Sequence, residues 1–356
     1  MRYCSWFKPS LFNLKPYGAY SIFCQPLVSS CDSTPFGNKM FSYGNKTCYI
    51  FGSCSGLLLF YVNGLFIVNP LTKTFRILDH HGSKLIPMIL GGSYSKKDFT
   101  RAMCVGFAVN QNRTSKSFKI VCILEMGMVY GFEISDGYSW RLSDTTINAG
   151  SKSDLMTRMK HVYLDNTLHW LRNDGSIVTF NPETEQARMI PSIFHRESDT
   201  KLLLAADDKI NRLTLISGTK EKISVYTLFE NSKWTLARRI KIVPMEDNIL
   251  VCWDMVAYDG KRLVVRDRKS TFEDLVHVYD LETNSWRVLG STWCTRNNLR
   301  DFYKFTPSLF SIELDEQTKI IVDSNDQRIP YLIALMGLIG TQLQPTQLDL
   351  FGLVKA

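Results

Sequence analysis

The sequence predicts an all-β chain folded as a β-propeller of about six four-stranded blades, followed by a short C-terminal tail. Apolar runs of strand length are cut every few residues by Gly, Asn, Asp or Pro. A strand–turn–strand unit recurs at steps of 65, 47, 47 and 52 residues, and periods of 40 to 50 with such a unit are the mark of a propeller. A helical pattern longer than two turns is hard to find anywhere in the 356 residues.

The first unit is FGSCSGLLLFYVNGLFIVNPLTKTFRIL, residues 51–78. Gly52, Gly56, Gly64 and Pro70 would break a helix there. Split at those residues, the stretch becomes three strands, GLLLFYV, LFIVN and TFRIL. In the second turn, Asn69 can hydrogen-bond forward to the backbone, Pro70 presets φ for the next position, and a strand resumes at Phe75. The turn recurs as FNPETEQARMIP (180–191, with Asn181 and Pro182) and as VYDLETNSWRVLG (278–290, with Asp280 and Trp286). Weaker copies are VYGFEISDGYSWRLSD (129–144) and VYTLFENSKWTLARR (225–239). The residue after each turn is Phe75, Trp140, Ala187, Trp234 and Trp286. An aromatic there fills the wedge between neighbouring blades. Ala187 breaks the rule, so its blade must pack another way. The 65-residue step contains GGSYSKKDFTRAMCVG (91–106) and predicts a long loop.

Composition narrows the function classes. Hydrophobic residues make up 45% and charged residues 21%, enough for a large core and unlike a disordered or coiled-coil chain. The nine cysteines are odd in number, none sits at CxxC spacing, and no His pair completes a zinc pattern. The first 20 residues carry aromatics and prolines where a signal peptide needs an apolar run. Both features point to a reducing compartment, cytoplasm or nucleus, where the NKT and NRT triplets at Asn45 and Asn112 carry no glycan. The most membrane-like stretch, IPYLIALMGLIG (329–340), is too short to span a bilayer.

Several stretches together resemble one family. GSCSGLLLFY…FIVNPLTKTFRIL resembles the opening of the F-box-associated domain of plant F-box proteins. HVYLDNTLHWLRNDGSIVTFNPETEQARMIP (161–191) resembles its central motif, including His169 and Trp170. FEISDGYSWR is similar to a further segment, and YKFTPSLFSIE (303–313) to its closing strand. The likeness runs in order over residues 5–315, within an expected domain of 1–323. It implies a kelch-like propeller that captures a protein for ubiquitination, while an N-terminal F-box docks a Skp-type adaptor and cullin of an SCF ligase. Residues 1–45 depart from that pattern: Pro and Gly at 9, 16, 18, 26, 35, 37 and 44 leave no helical stripe. The expectation is therefore a chain without its F-box, which contacts adaptor and cullin only through some other surface. Beyond about residue 323 the family pattern ends, and 324–356 reads as a divergent, poorly ordered tail.

Catalytic readings are weaker. His169 lies in a predicted strand beside Trp170 and reads as a packed residue rather than a base. His80 and His81 lack a carboxylate or thiol to complete a metal site, and neighbours on a strand face opposite sides. SDGYSW (135–140) distantly resembles the aspartate box of sialidase propellers, itself a turn device. GSCSG (52–56) lacks the helix of a nucleophile elbow, and Cys54 reads as a small buried residue. A copper oxidase on such a propeller needs ligands that six scattered histidines do not supply. The net charge of +8 gathers at 233–241 and 261–269; solvated strand edges, an acidic partner and nucleic acid are the readings, in that order. The sequence thus points to a protein-binding propeller with no cofactor, metal, nucleic acid or membrane partner. A propeller enzyme and a degenerate, functionless copy are the alternatives.

Overall fold

The structure, a computed structural model, describes residues 10–14, 20–26, 40–41, 48–62, 64–86, 105–111, 116–156, 160–193, 200–207, 210–229, 233–242, 253–267, 273–293, 303–305, 308–309, 312, 328–329, 332–333 and 336. Their 25 strands form six sheets. The first contains β1 (Ser10–Leu14), β2 (Tyr20–Pro26) and β3 (Met40–Phe41). The second is the meander β4 (Cys48–Cys54), β5 (Leu57–Val62), β6 (Leu65–Asn69) and β7 (Thr74–Leu78). The third holds β8 (Val105–Gln111), β9 (Lys116–Met126), β10 (Val129–Ser135), β11 (Trp140–Leu142) and β12 (Ile147–Asn148). The fourth is β13 (Val162–Leu164), β14 (Thr167–Leu171), β15 (Ile177–Phe180) and β16 (Ala187–Ile190). The fifth is β17 (Lys201–Asp207), β18 (Arg212–Gly218), β19 (Lys222–Leu228) and β20 (Trp234–Lys241). The sixth is β21 (Trp253–Tyr258), β22 (Arg262–Asp267), β23 (Glu273–Asp280) and β24 (Ser285–Trp293). Finally β25 (Tyr303–Phe305) returns to pair antiparallel with β1. Strands from both ends of the domain thus share the first sheet.

Five sheets are four-stranded. The third departs from that expectation, because β11 and β12 both pair with β10. Its outermost strand is broken in two by Ser143–Thr146.

Successive sheets meet along their first strands: β4 against β8, β8 against β13, β13 against β17, β17 against β21. Middle strands are covered on both faces, which is why β6 and β15 are buried throughout and their sequences do not alternate. The core lies between sheets. Leu59 and Ile67 of the second share a cluster with Val105, Phe107 and Ile120 of the third. The next cluster joins Tyr130 and Phe132 to Trp170 and Phe180. A third runs from Leu171 through Leu215 to Trp253 and Val265. The approach leaves no room for a side chain at Gly52, where a Cβ would stand 2.6 Å from Phe107 Cβ, or at Gly218, 2.5 Å from the Trp253 ring.

Two buried charges lock neighbouring sheets. Glu133 on β10 accepts hydrogen bonds from Ser83 Oγ (2.7 Å) and Lys84 N (2.8 Å), which follow the second sheet. Arg172, 1% exposed, donates to Tyr130 Oη and to the carbonyls of Ala149, Ser151 and Ser153, with Asp174 as its ion-pair partner at 3.1 Å. A guanidinium meets the cost of burial only when its donors are matched in this way.

Some expectations need correction. Residues 10–14, 20–26 and 40–41, read from sequence only as non-helical, are strands of the first sheet. Of the expected closing strand 303–313, β25 is strand; beyond it, Ser308 and Ile312 bond to the second sheet. In the expected disordered tail, residues 328–329, 332–333 and 336 are helical, and Ile329, Leu332 and Met336 are buried. Arg328 stands 5.7 Å from the Phe66 ring. Within the basic run at 261–269, residues 262–267 are not a solvated edge: they form the interior strand β22, and Arg266 is 1% exposed. The long loop expected at 91–106 lies outside the described residues up to Val105.

Candidate partner-binding site

Three hairpin turns share one device. Asn69 Oδ1 accepts Leu71 N at 3.0 Å. Asn181 Oδ1 accepts Glu183 N (2.9 Å) and Thr184 N (3.1 Å). Asp280 Oδ1 accepts Glu282 N (2.9 Å) and Thr283 N (3.0 Å). Those bonds hold the Asp280 carboxyl below the usual carboxylate range. At the end of each turn, one or two residues before the next strand, Lys73, Glu185 and Asn284 take positive φ of 56°, 54° and 52°. The side-chain cap replaces a backbone partner and makes the left-handed residue affordable. Pro70 and Pro182 occupy the position after the cap, where their fixed φ fits the turn. Asp136 caps the shorter turn of the third sheet through Tyr138 N and Ser139 N.

Phe75 is buried. Trp140 donates from its indole nitrogen to Asp79 O at 2.7 Å, across to the second sheet. Trp234 and Trp286 pack on the cluster shared by the fourth, fifth and sixth sheets, Trp286 with its ring 5.0 Å from Tyr279.

At Ala187 the ring is missing, and the surface there opens into a cavity of about 550 Å³. It is lined by Thr145, Thr167, Thr179, Asn181, Thr184, Glu185, Gln186, Ala187 and Arg188. The wall is hydroxyl, amide and one exposed guanidinium. Glu185 is already engaged: it pairs with Arg141 and accepts Ser143 Oγ at 2.6 Å, and the bond from Arg141 holds its carboxyl below the usual range. The main-chain carbonyl of Arg188 accepts Thr179 Oγ1 at 3.1 Å, while its guanidinium has no hydrogen-bond or ion-pair partner among the described residues. Such a lining suits polar groups.

His169 is 5% exposed. Its Nδ1 donates to Val162 O at 3.2 Å, and burial pushes its pKa down to about 4. Trp170, beside it, is 1% exposed and packs on Phe132. His161 was missed in the sequence although it opens the central motif. Its Nε2 accepts Phe107 N at 3.0 Å, capping the inner strand of the third sheet, and desolvation again lowers its pKa to about 4. His80 and His81 stack at 4.5 Å beyond the end of β7, not on opposite faces of a strand. Cys54 is half-buried rather than buried. Among the described residues no group of three or more His, Cys, Asp or Glu stands ready to hold a metal, and no helix is long and apolar enough to cross a membrane. Arg172 and Arg188 carried no sequence signal of their own; the alanine at 187 was the visible sign of the cavity.

Residues 27–269 match the F-box associated beta propeller domain. An Arabidopsis thaliana protein named for an F-box and kelch repeats, At1g20940, is 64% identical over 354 residues, covering 95% of this chain and 86% of its own length. The F-box protein At1g20360 of the same plant is 64% identical over 250 residues, covering 70% and 81%. A lectin from Aleuria aurantia aligns over 70% of this chain and 78% of its own, at 11% identity and a TM-score of 0.37, too distant to bear on function. The matched region takes in the second to fifth sheets whole, with their capped turns and the Ala187 cavity, and the chain belongs to the F-box associated β-propeller domain family.

Proposed function

We propose that the chain is a protein-binding module that selects a target for an SCF-type ubiquitin ligase and performs no catalysis of its own. The observation that carries this reading is the family match over 27–269, reinforced by relatives named as F-box proteins. The outer faces fit such a role: β20 exposes Thr235 to Arg239 in one run, a basic edge suited to steering an acidic partner. The role places the chain in the cytoplasm or nucleus.

The test is affinity purification of the tagged full chain from plant cells, with mass spectrometry of what it retains. Adaptor and cullin enriched together with a further protein support the reading. A further protein enriched without them makes the chain a free-standing binding module and removes the ligase part. Chaperones alone would overturn the reading and favour a degenerate copy.

A further inference from the structure

The capped turn of the second sheet is occupied by the protein's own chain. Asn69 Nδ2 donates to Ser308 O at 2.8 Å, and Ile312 N donates to Thr74 Oγ1 at 2.9 Å. Asn69 and Thr74 are register partners, so one turn holds one passing segment by its main chain at two points. Beneath, Leu57, Leu59 and Ile67 belong to the apolar cluster that receives Ile312.

The turn of the fourth sheet repeats these positions. Asn181 stands for Asn69, and Gln186, the residue before Ala187, stands for Thr74, the residue before Phe75. Their backbones are joined, Asn181 N to Gln186 O, at 2.9 Å. Asn181 Oδ1 holds the turn, and its Nδ2 is left as a donor without a partner among the described residues. Thr167, Thr179 and Arg188 take the register places of Leu57, Ile67 and Arg76. All five line the open cavity. The apolar seat has become hydroxylated, and Arg188, unlike the buried Arg76, faces solvent.

We propose that this cavity docks a main-chain segment of a protein partner bearing an acidic side chain, as the equivalent turn docks Ser308 and Ile312. The proposal rests on the protein-binding reading above and gives it a site. Asn181 Nδ2 donates to a partner carbonyl, and Gln186 Oε1 accepts a partner N–H. The Arg188 fork takes the carboxylate, a geometry a guanidinium satisfies with two parallel bonds. The single acid of the wall does not compete, because Glu185 is held by Arg141 and Ser143.

The experiment pans a display library of random short peptides on the purified full chain, then measures recovered peptides against variants. Asn181→Asp keeps the oxygen that caps the turn, as Asp280 does naturally, but removes the Nδ2 donor. Arg188→Gln alters an exposed side chain with no partner to lose. The expected result is a shared acidic position, with affinity falling about tenfold in each variant and melting temperature unchanged for Arg188→Gln. An absence of binding peptides, peptides with no acidic preference, or affinities unmoved by both variants would each overturn the site. A chain that fails here yet retains a target and adaptor in cells loses only this site; failure in both loses the protein-binding reading as well.

Discussion

His161 and His169 make the fold sensitive to acid. Each is neutral when folded, with a pKa near 4 against 6.5 for a free imidazole. Above pH 6.5 neither state takes the proton and their contribution is complete. As pH falls from 6.5 towards 4 the unfolded chain binds protons that the fold refuses, so stability drops, by roughly 2–3 kcal/mol per group over the whole interval. Below 4 the loss levels off. Melting curves between pH 7.5 and 4.5 should show that decline, and a His161→Gln variant, whose amide oxygen can still accept Phe107 N, should show a shallower one. An unchanged slope would mean that His161 protonates without disturbing the strand it caps. The histidine that looked most like a base is thus a strand residue, and the one that caps a neighbouring sheet drew no notice, because its partner lies 54 residues away.

The capped turn is the repeated element. Asp280→Ala removes the acceptor for two backbone N–H groups while Asn284 remains at positive φ. It should cost about 1 kcal/mol in urea unfolding, whereas Asp280→Asn, the residue used at the equivalent positions 69 and 181, should cost much less. Equal losses for both would assign the effect to the Arg262–Asp280 ion pair (3.6 Å) rather than to the cap. These turns were legible in the sequence because their chemistry is local: Asn or Asp, a Pro or Leu, and a bulky residue six positions after the cap. The contents of the turns were not legible. One is filled by Ser308 and Ile312, another opens on a cavity, and only distant chain decides which.

The first sheet is built from strands far apart in the sequence. β25 pairs with β1 in the first sheet, and Ser308, Ile312 and Arg328 then lie against the second. Ending the chain after residue 302 therefore removes a strand and uncovers an edge. A drop in melting temperature of several degrees or more is expected, about what a loss of 1–2 kcal/mol or more produces in a domain of this kind, and it should be followed by circular dichroism with a probe for exposed apolar surface. A truncated chain that melts like the full one would show that the return strand adds nothing to the fold.

The sequence by itself determined the all-β class and the capped turns, because turn chemistry and a recurring period are written in neighbouring residues. It also exposed the single break in the pattern, at Ala187. Tertiary structure alone decided how the chain ends join one sheet, which charges are buried, and where the broken pattern becomes a cavity. Arg172 and Arg266 read like any surface cation until sheets separated in sequence close around them. Arg328 of the tail lies against Phe66 and Gly64, residues far from it in the sequence. Local propensity sets which elements form; burial and hydrogen-bond satisfaction between distant segments set what each element is for.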